Sequence, residues 1–211
     1  MISNSSFDYH DASLPLKERP PFDLEAAFAQ QPVLETPRIK LRPLLDSDAN
    51  DLFKVYGDGL IGEHNGWTTL DSFAKVADKI AAFQQQFIAH KRIRWGLELK
   101  ETGCIVGDCA FVTFDPRGHL GEIGFNLAHE FWGKGLMREA VLAMIRYGFE
   151  EIGLNRIVGL VATENRRSLS LLQKLGFETE GYLRQGGWFR DRYRDMELSA
   201  LLRDDFARQL H

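Results

Sequence analysis

At 211 residues, 44% of them hydrophobic and 27% charged, the chain has the composition of a globular protein with room for one sizeable core. A formal net charge of −4 argues against the basic face that coating nucleic acid requires, and no apolar run is long enough to cross a bilayer, so neither nucleic acid nor membrane is expected as a partner. The two cysteines, Cys104 and Cys109, stand an odd number of residues apart in an expected strand and so cannot pair within it; with no CxxC spacing and no signal-like stretch, they read as core filler in a reducing cytoplasm.

Residues 1–35 show little periodicity and read as an N-terminal arm. Asp23 can cap a short helix running to Gln30, with Leu24, Ala27 and Phe28 on one side, packed on the domain or on a second subunit; a mobile tail is the alternative. The main domain is expected over 36–211. From Arg38, Ile39 and Leu41 alternate with Lys40 and Arg42 as in a strand, and Ser47 then opens a helix containing Leu52, Phe53 and Tyr56 that ends at Gly57. Residues 58–70, with glycines at 59, 62 and 66, read as a loop. Asp71 opens a longer helix carrying Phe73, Val76, Ala77, Ile80, Phe87 and Ile88.

Extended segments follow at 93–100, 103–114 and 118–127, and their short Gly- and Pro-containing connections imply an antiparallel meander. A helix over 134–152 places Leu136, Met137, Ala140, Val141, Met144, Ile145 and Phe149 on one face, and Ile157 to Ala162 reads as a strand buried on both sides. Asn165 caps a helix to Leu175, Gly176 ends it, and strands near 177–184 and 193–201 close the domain, with a turn over 184–192. The order βααβββαβαββ specifies an α/β fold with helices on both faces of its sheet.

Between the strand ending at Leu127 and the helix after it stands Gly133-Lys134-Gly135. Unpaired amides of a first helical turn, the helix dipole and the close approach that glycine allows make this a place for a phosphate. No Ser or Thr follows Lys134 as a P-loop needs, and Arg138 stands where a dinucleotide fold has its third glycine. That disfavours ATP, GTP and NAD, while a plain strand-to-helix turn stays open as the simpler reading.

The segment Gly124 to Ala140, followed by Asn165-Arg166-Arg167-Ser168 and Leu171 to Phe177, resembles the GCN5-related N-acetyltransferase (GNAT) superfamily, and within it the ribosomal-protein N-terminal acetyltransferase (Rim-like) branch. The resemblance covers roughly residues 36–205. It implies a mixed, mostly antiparallel sheet splayed between its fourth and fifth strands, with acetyl-CoA as co-substrate in the gap and no metal. The pantetheine arm would lie along Phe125, Asn126 and Leu127, and the amides of Trp132, Gly133, Lys134, Gly135, Leu136 and Met137 would bind the pyrophosphate. Glu130 departs from the family's Gln or Arg, so its side chain is expected to point away. Asn165 and Ser168 match the cofactor-side positions of the next helix, with Ser168 as the group that protonates the departing thiolate or simply as an ordinary helix-start residue.

Glu122 is the expected base for the attacking amine, since two carboxylate positions used by relatives are empty here; a salt-bridged strand glutamate, or a site with no dedicated base, is the alternative. His64, Trp67 and Trp188 are candidate acceptor contacts on loops, against the plainer role of aromatic lids on the core. The implied function is transfer of acetyl to a primary amine, a protein N-terminal α-amine first and a small amine second, by a monomer or homodimer. A non-catalytic acetyl-CoA-binding module and a structural, dimerising domain are the rivals.

Overall fold

The computed structural model describes residues 22–209. Residues 1–21 of the arm lie outside the described residues. The rest of the arm is built into the domain. Helix α1 (Leu24–Ala29) is capped by Asp23, whose carboxylate accepts from the Ala26 amide at 2.8 Å, and it buries Ala27 and Phe28 in the main core. Strand β1 (Leu34–Glu35) then pairs antiparallel with β2 (Ile39–Arg42).

Three helices follow, α2 (Ala49–Tyr56), α3 (Gly59–Asn65) and α4 (Phe73–Ile88). Helix α3 falls where the sequence reads as a loop. Its start is fixed by Asp58, whose side chain accepts from the amides of Leu60 and Ile61, and its end by Gly66 at φ 81°. Ser72 rather than Asp71 caps α4, by accepting from Lys75 N–H. On α4 the buried positions are Val76 and Ile80, whereas Phe73 and Ile88 are exposed.

The meander is formed by β3 (Ile93–Leu99), β4 (Ile105–Asp115) and β5 (Leu120–Leu127), all antiparallel. Cys104 lies outside β4 and is exposed, so of the two cysteines only Cys109 fills the core. Helix α5 (Leu136–Glu150) buries all seven residues of its expected apolar face. Then come β6 (Arg156–Ala162), α6 (Arg166–Lys174), β7 (Glu178–Phe189), β8 (Arg192–Leu202) and α7 (Arg203–Gln209). The expected 184–192 turn shrinks to Arg190 and Asp191, both at positive φ, and the strands extend to meet it.

The eight strands form one sheet in the order β1-β2-β3-β4-β5-β6-β8-β7. The main core, with α1, α5, α6 and α7, covers one face; a second cluster, with α2, α3 and α4, covers the other. The one parallel pair, β5 with β6, is joined only at Leu120↔Arg156, Gly121↔Ile157 and Glu122↔Val158. Beyond Val158, β6 continues its pairing with β8 alone, so the sheet opens into a V between β5 and β6. This is the splay expected between the fourth and fifth strands, the two-residue β1 not being counted.

Candidate active site

The V is a cleft, and its residues come from both lips. A cavity of about 760 Å³ is lined by Phe125, Asn126 and Leu127 of β5, by Trp132, Gly133, Gly135, Leu136 and Met137 at the turn into α5, and by Asn165 and Ser168 at the start of α6. His64 of α3 also reaches it. Lys134, Glu122, Trp67 and Trp188 do not line it.

Side chains alternate along β5. Ile123, Phe125 and Leu127 belong to the α5 face, while Asn126 points to the opposite face and meets Tyr56 and Asp108. By the same alternation Glu122 and Gly124 lie on the α2–α4 face. Glu122 therefore stands at the closed end of the V, at the last parallel pair, and its half-burial pushes its carboxyl above the ordinary value, with Arg92 pulling the other way. Gly124, between Glu122 and Asn126, leaves that part of the floor without a side chain.

Gly133 and Gly135 have φ of 75° and 78°, the left-handed region that side-chain-bearing residues rarely adopt. A Cβ at Gly133 would meet nothing within 4 Å, so the glycine faces open space. The Trp132 amide donates to His129 O at 3.1 Å, so the run of available donors starts at Gly133 rather than at Trp132, and Glu139 N–H is the first in α5 to bond back, to Gly135 O. Helix-start amides in an open cleft are what a pyrophosphate requires. Arg138, Arg167 and Lys174, to which the sequence pattern assigns no ligand role, line the same cavity. Arg167 stacks over Trp132 at 4.2 Å and so joins the two lips. The residues present fit a CoA diphosphate.

Glu130 does point away, 3.7 Å from Lys54 of α2. Behind the turn, Glu139 accepts from Thr36 Oγ1 (2.5 Å), from Arg38 N–H (2.7 Å) and from Arg38 Nε (2.8 Å), and Arg38 donates onward to the Lys134 carbonyl (3.0 Å). The glycine turn is thereby tied to the β1–β2 corner. Burial alone pushes the Glu139 carboxyl up, but these hydrogen bonds and the Arg38 charge hold it below its ordinary value.

Of the aromatic candidates, His64 turns its ring edge-on to Trp132 at 6.1 Å. Trp67 packs on Tyr56 at 5.3 Å within the second core cluster. Trp188 is 59% exposed and packs on Tyr193 at the end of the β7–β8 hairpin, outside the cleft. A second cavity, also about 760 Å³, shares Arg166 and Ser170 with the first and is lined by Glu178, Thr179, Glu197 and Ser199, but neither the Gly133–Gly135 turn nor any of the expected site residues belongs to it.

A splayed parallel strand pair with a glycine-turn helix start open at its mouth is the arrangement that the GNAT resemblance implies for a coenzyme A-dependent acyltransferase. Residues 38–178 match the acetyltransferase (GNAT) domain family. An uncharacterized N-acetyltransferase of Bacillus subtilis, YoaA, is 33% identical over 154 residues, 73% of this chain and 87% of its own length. The ribosomal protein uS5-alanine N-acetyltransferase of Escherichia coli is 38% identical over 89 residues, 42% of this chain and 46% of that enzyme. The structure of RimL, a ribosomal L7/L12 alpha-N-protein acetyltransferase in complex with coenzyme A, has a TM-score of 0.71 at 16% identity, covering 81% of this chain and 98% of that one. The chain belongs to the GNAT acetyltransferase family and is an acetyl-CoA-dependent N-acetyltransferase.

Proposed function

We propose that the acceptor is the α-amine of a protein N-terminus. The observation that carries this reading is the geometry of the V: the diphosphate belongs at the Gly133 turn, so the pantetheine arm runs back along β5 and brings the thioester toward Glu122 on the face opposite α5. An acceptor enters from that face, which α3 and the β7–β8 hairpin border. The uS5-alanine enzyme of Escherichia coli and RimL are both named for α-amine or alanine acceptors on ribosomal proteins, and they support the choice.

The chemistry is a direct attack. The amine nitrogen bonds to the thioester carbonyl carbon, the C–S bond breaks, the amine proton passes to Glu122, and the thiolate takes a proton relayed through the Ser168 hydroxyl, which regains one from solvent. An α-amine with a pKa of about 7.7–8.0 needs only a weak base, whereas a lysine near about 10.4 needs a stronger one, and a carboxylate raised by burial suits the former. The deciding experiment is mass spectrometry after incubation with acetyl-CoA and three acceptors: peptides with a free N-terminus, the same peptides N-terminally blocked but containing lysine, and polyamines. One acetyl increment confined to the free N-terminus is expected. Acetylation of the polyamine alone overturns the reading.

A further inference from the structure

Three asparagines from distant parts of the chain meet at the mouth of the V. Asn165 at the start of α6 and Asn126 on β5 lie on opposite lips and are both more than nine-tenths buried, and Asn65 at the end of α3 sits between them. The Ser168 amide donates to Asn165 Oδ1 at 3.2 Å; Asn165 Nδ2 donates to Asn65 Oδ1 at 3.1 Å; Asn65 Nδ2 donates to Asn126 Oδ1 at 2.8 Å. Asn126 Nδ2 then donates to both carboxylate oxygens of Asp108, at 3.1 and 3.2 Å. Asp108 is fully buried and held by the Tyr56 hydroxyl at 2.7 Å and by an ion pair with Arg94.

The orientation of every amide is fixed from both ends. A backbone N–H can only donate and a carboxylate can only accept, so all three side chains must point their donors toward Asp108. Such a one-way chain strengthens each of its members; Asn165 Nδ2 also donates to the His64 carbonyl at 3.2 Å, so losing Asn65 leaves Asn126 Oδ1 as the buried group without its partner.

We infer that Asn65 is a positioning residue for acetyl-CoA, resting on the cofactor reading above: its amide bridges the two lips, sets their spacing, and holds the Ser168 turn in register with β5. Asn65 has no place in the family motif around the glycine turn, and its role comes from α3 lying across the open end of the splay.

Calorimetric titration of coenzyme A into the whole chain tests this without any acceptor. Asn65→Ala removes both links and is expected to weaken binding about ten-fold at any pH, the effect of one unpaired buried group. Asn65→Asp keeps the acceptor for Asn165 but sets a second acceptor against Asn126 Oδ1, so it should bind about ten-fold more weakly at about pH 8. Protonation of the new carboxyl restores a donor, and because the ionised form is disfavoured there its pKa is raised; the ratio of its Kd to the wild type's should fall toward one at about pH 5.5. Dividing by the wild-type curve removes the pH dependence that the two proteins share. The inference is overturned if Asn65→Ala binds within about two-fold of wild type, or if the Asn65→Asp ratio is the same at both pH values. Circular dichroism checks both folds, and Asn65→Ala alone decides if the charged variant does not fold. No binding by the wild type would instead overturn the cofactor reading and the inference with it.

Discussion

Glu139 illustrates how one partly exposed carboxylate organises a turn whose cavity it does not line. Its three hydrogen bonds from Thr36 and Arg38 hold its folded pKa down, and a depressed pKa contributes stability that is complete above the unfolded value and lost as pH falls through the folded one. Glu139→Gln is therefore expected to be less stable than wild type at neutral pH, and to lose less of its remaining stability on acidification below the ordinary value of 4.5. Urea midpoints at about pH 7 and about pH 4 check this, and parallel declines would contradict it. Glu122 is shifted the opposite way, so as the base it should give turnover an acid limb above the ordinary carboxylate range. Glu122→Gln is expected to lower kcat about 10²- to 10⁴-fold and to abolish that limb. A variant that keeps the limb would remove Glu122 from the mechanism.

Among the elements, α3 joins the site from the face opposite α5. Its seven residues supply His64 and Asn65 to the cleft, and their helical start depends on the side chain of Asp58. Asp58→Ala should cost about 1 kcal/mol of stability and weaken coenzyme A binding, because a frayed α3 no longer presents Asn65. A stability loss of that size with unchanged Kd would separate the helix from the cleft. Legibility in the sequence also divided by element. The seven apolar residues of α5 recur at helical spacing, so that helix and the glycine turn ahead of it could be read directly. Helix α3 could not, since Gly59, Gly62 and Gly66 within a short polar stretch read as a loop, and the Asp58 cap is visible only in hindsight. The ends of β7 and β8 were missed because Arg190 and Asp191, not glycines, take the positive φ of the turn. The asparagine chain joins residues 61 and 100 positions apart, a distance over which no local pattern operates.

For the molecule as a whole, an acidic chain with a net charge of −4 gathers Arg138, Arg167 and Lys174 around one cavity, so the average charge conceals a local site for a polyanion. The sheet explains why that site is where it is: β6 parts from β5 after three pairs while staying on β8, the backbone at the opening is left for a ligand, and α5 starts at its mouth. On this reading acetyl-CoA binds there with its diphosphate on the Gly133–Gly135 turn. Calorimetry with wild type and Gly135→Val tests it most directly, because valine cannot hold φ 78° without strain while a Cβ there would meet only Arg38, at 3.5 Å. Wild type is expected to bind one-to-one, and the variant at least about ten-fold more weakly while retaining the native circular dichroism. Equal affinity in the two proteins would contradict it.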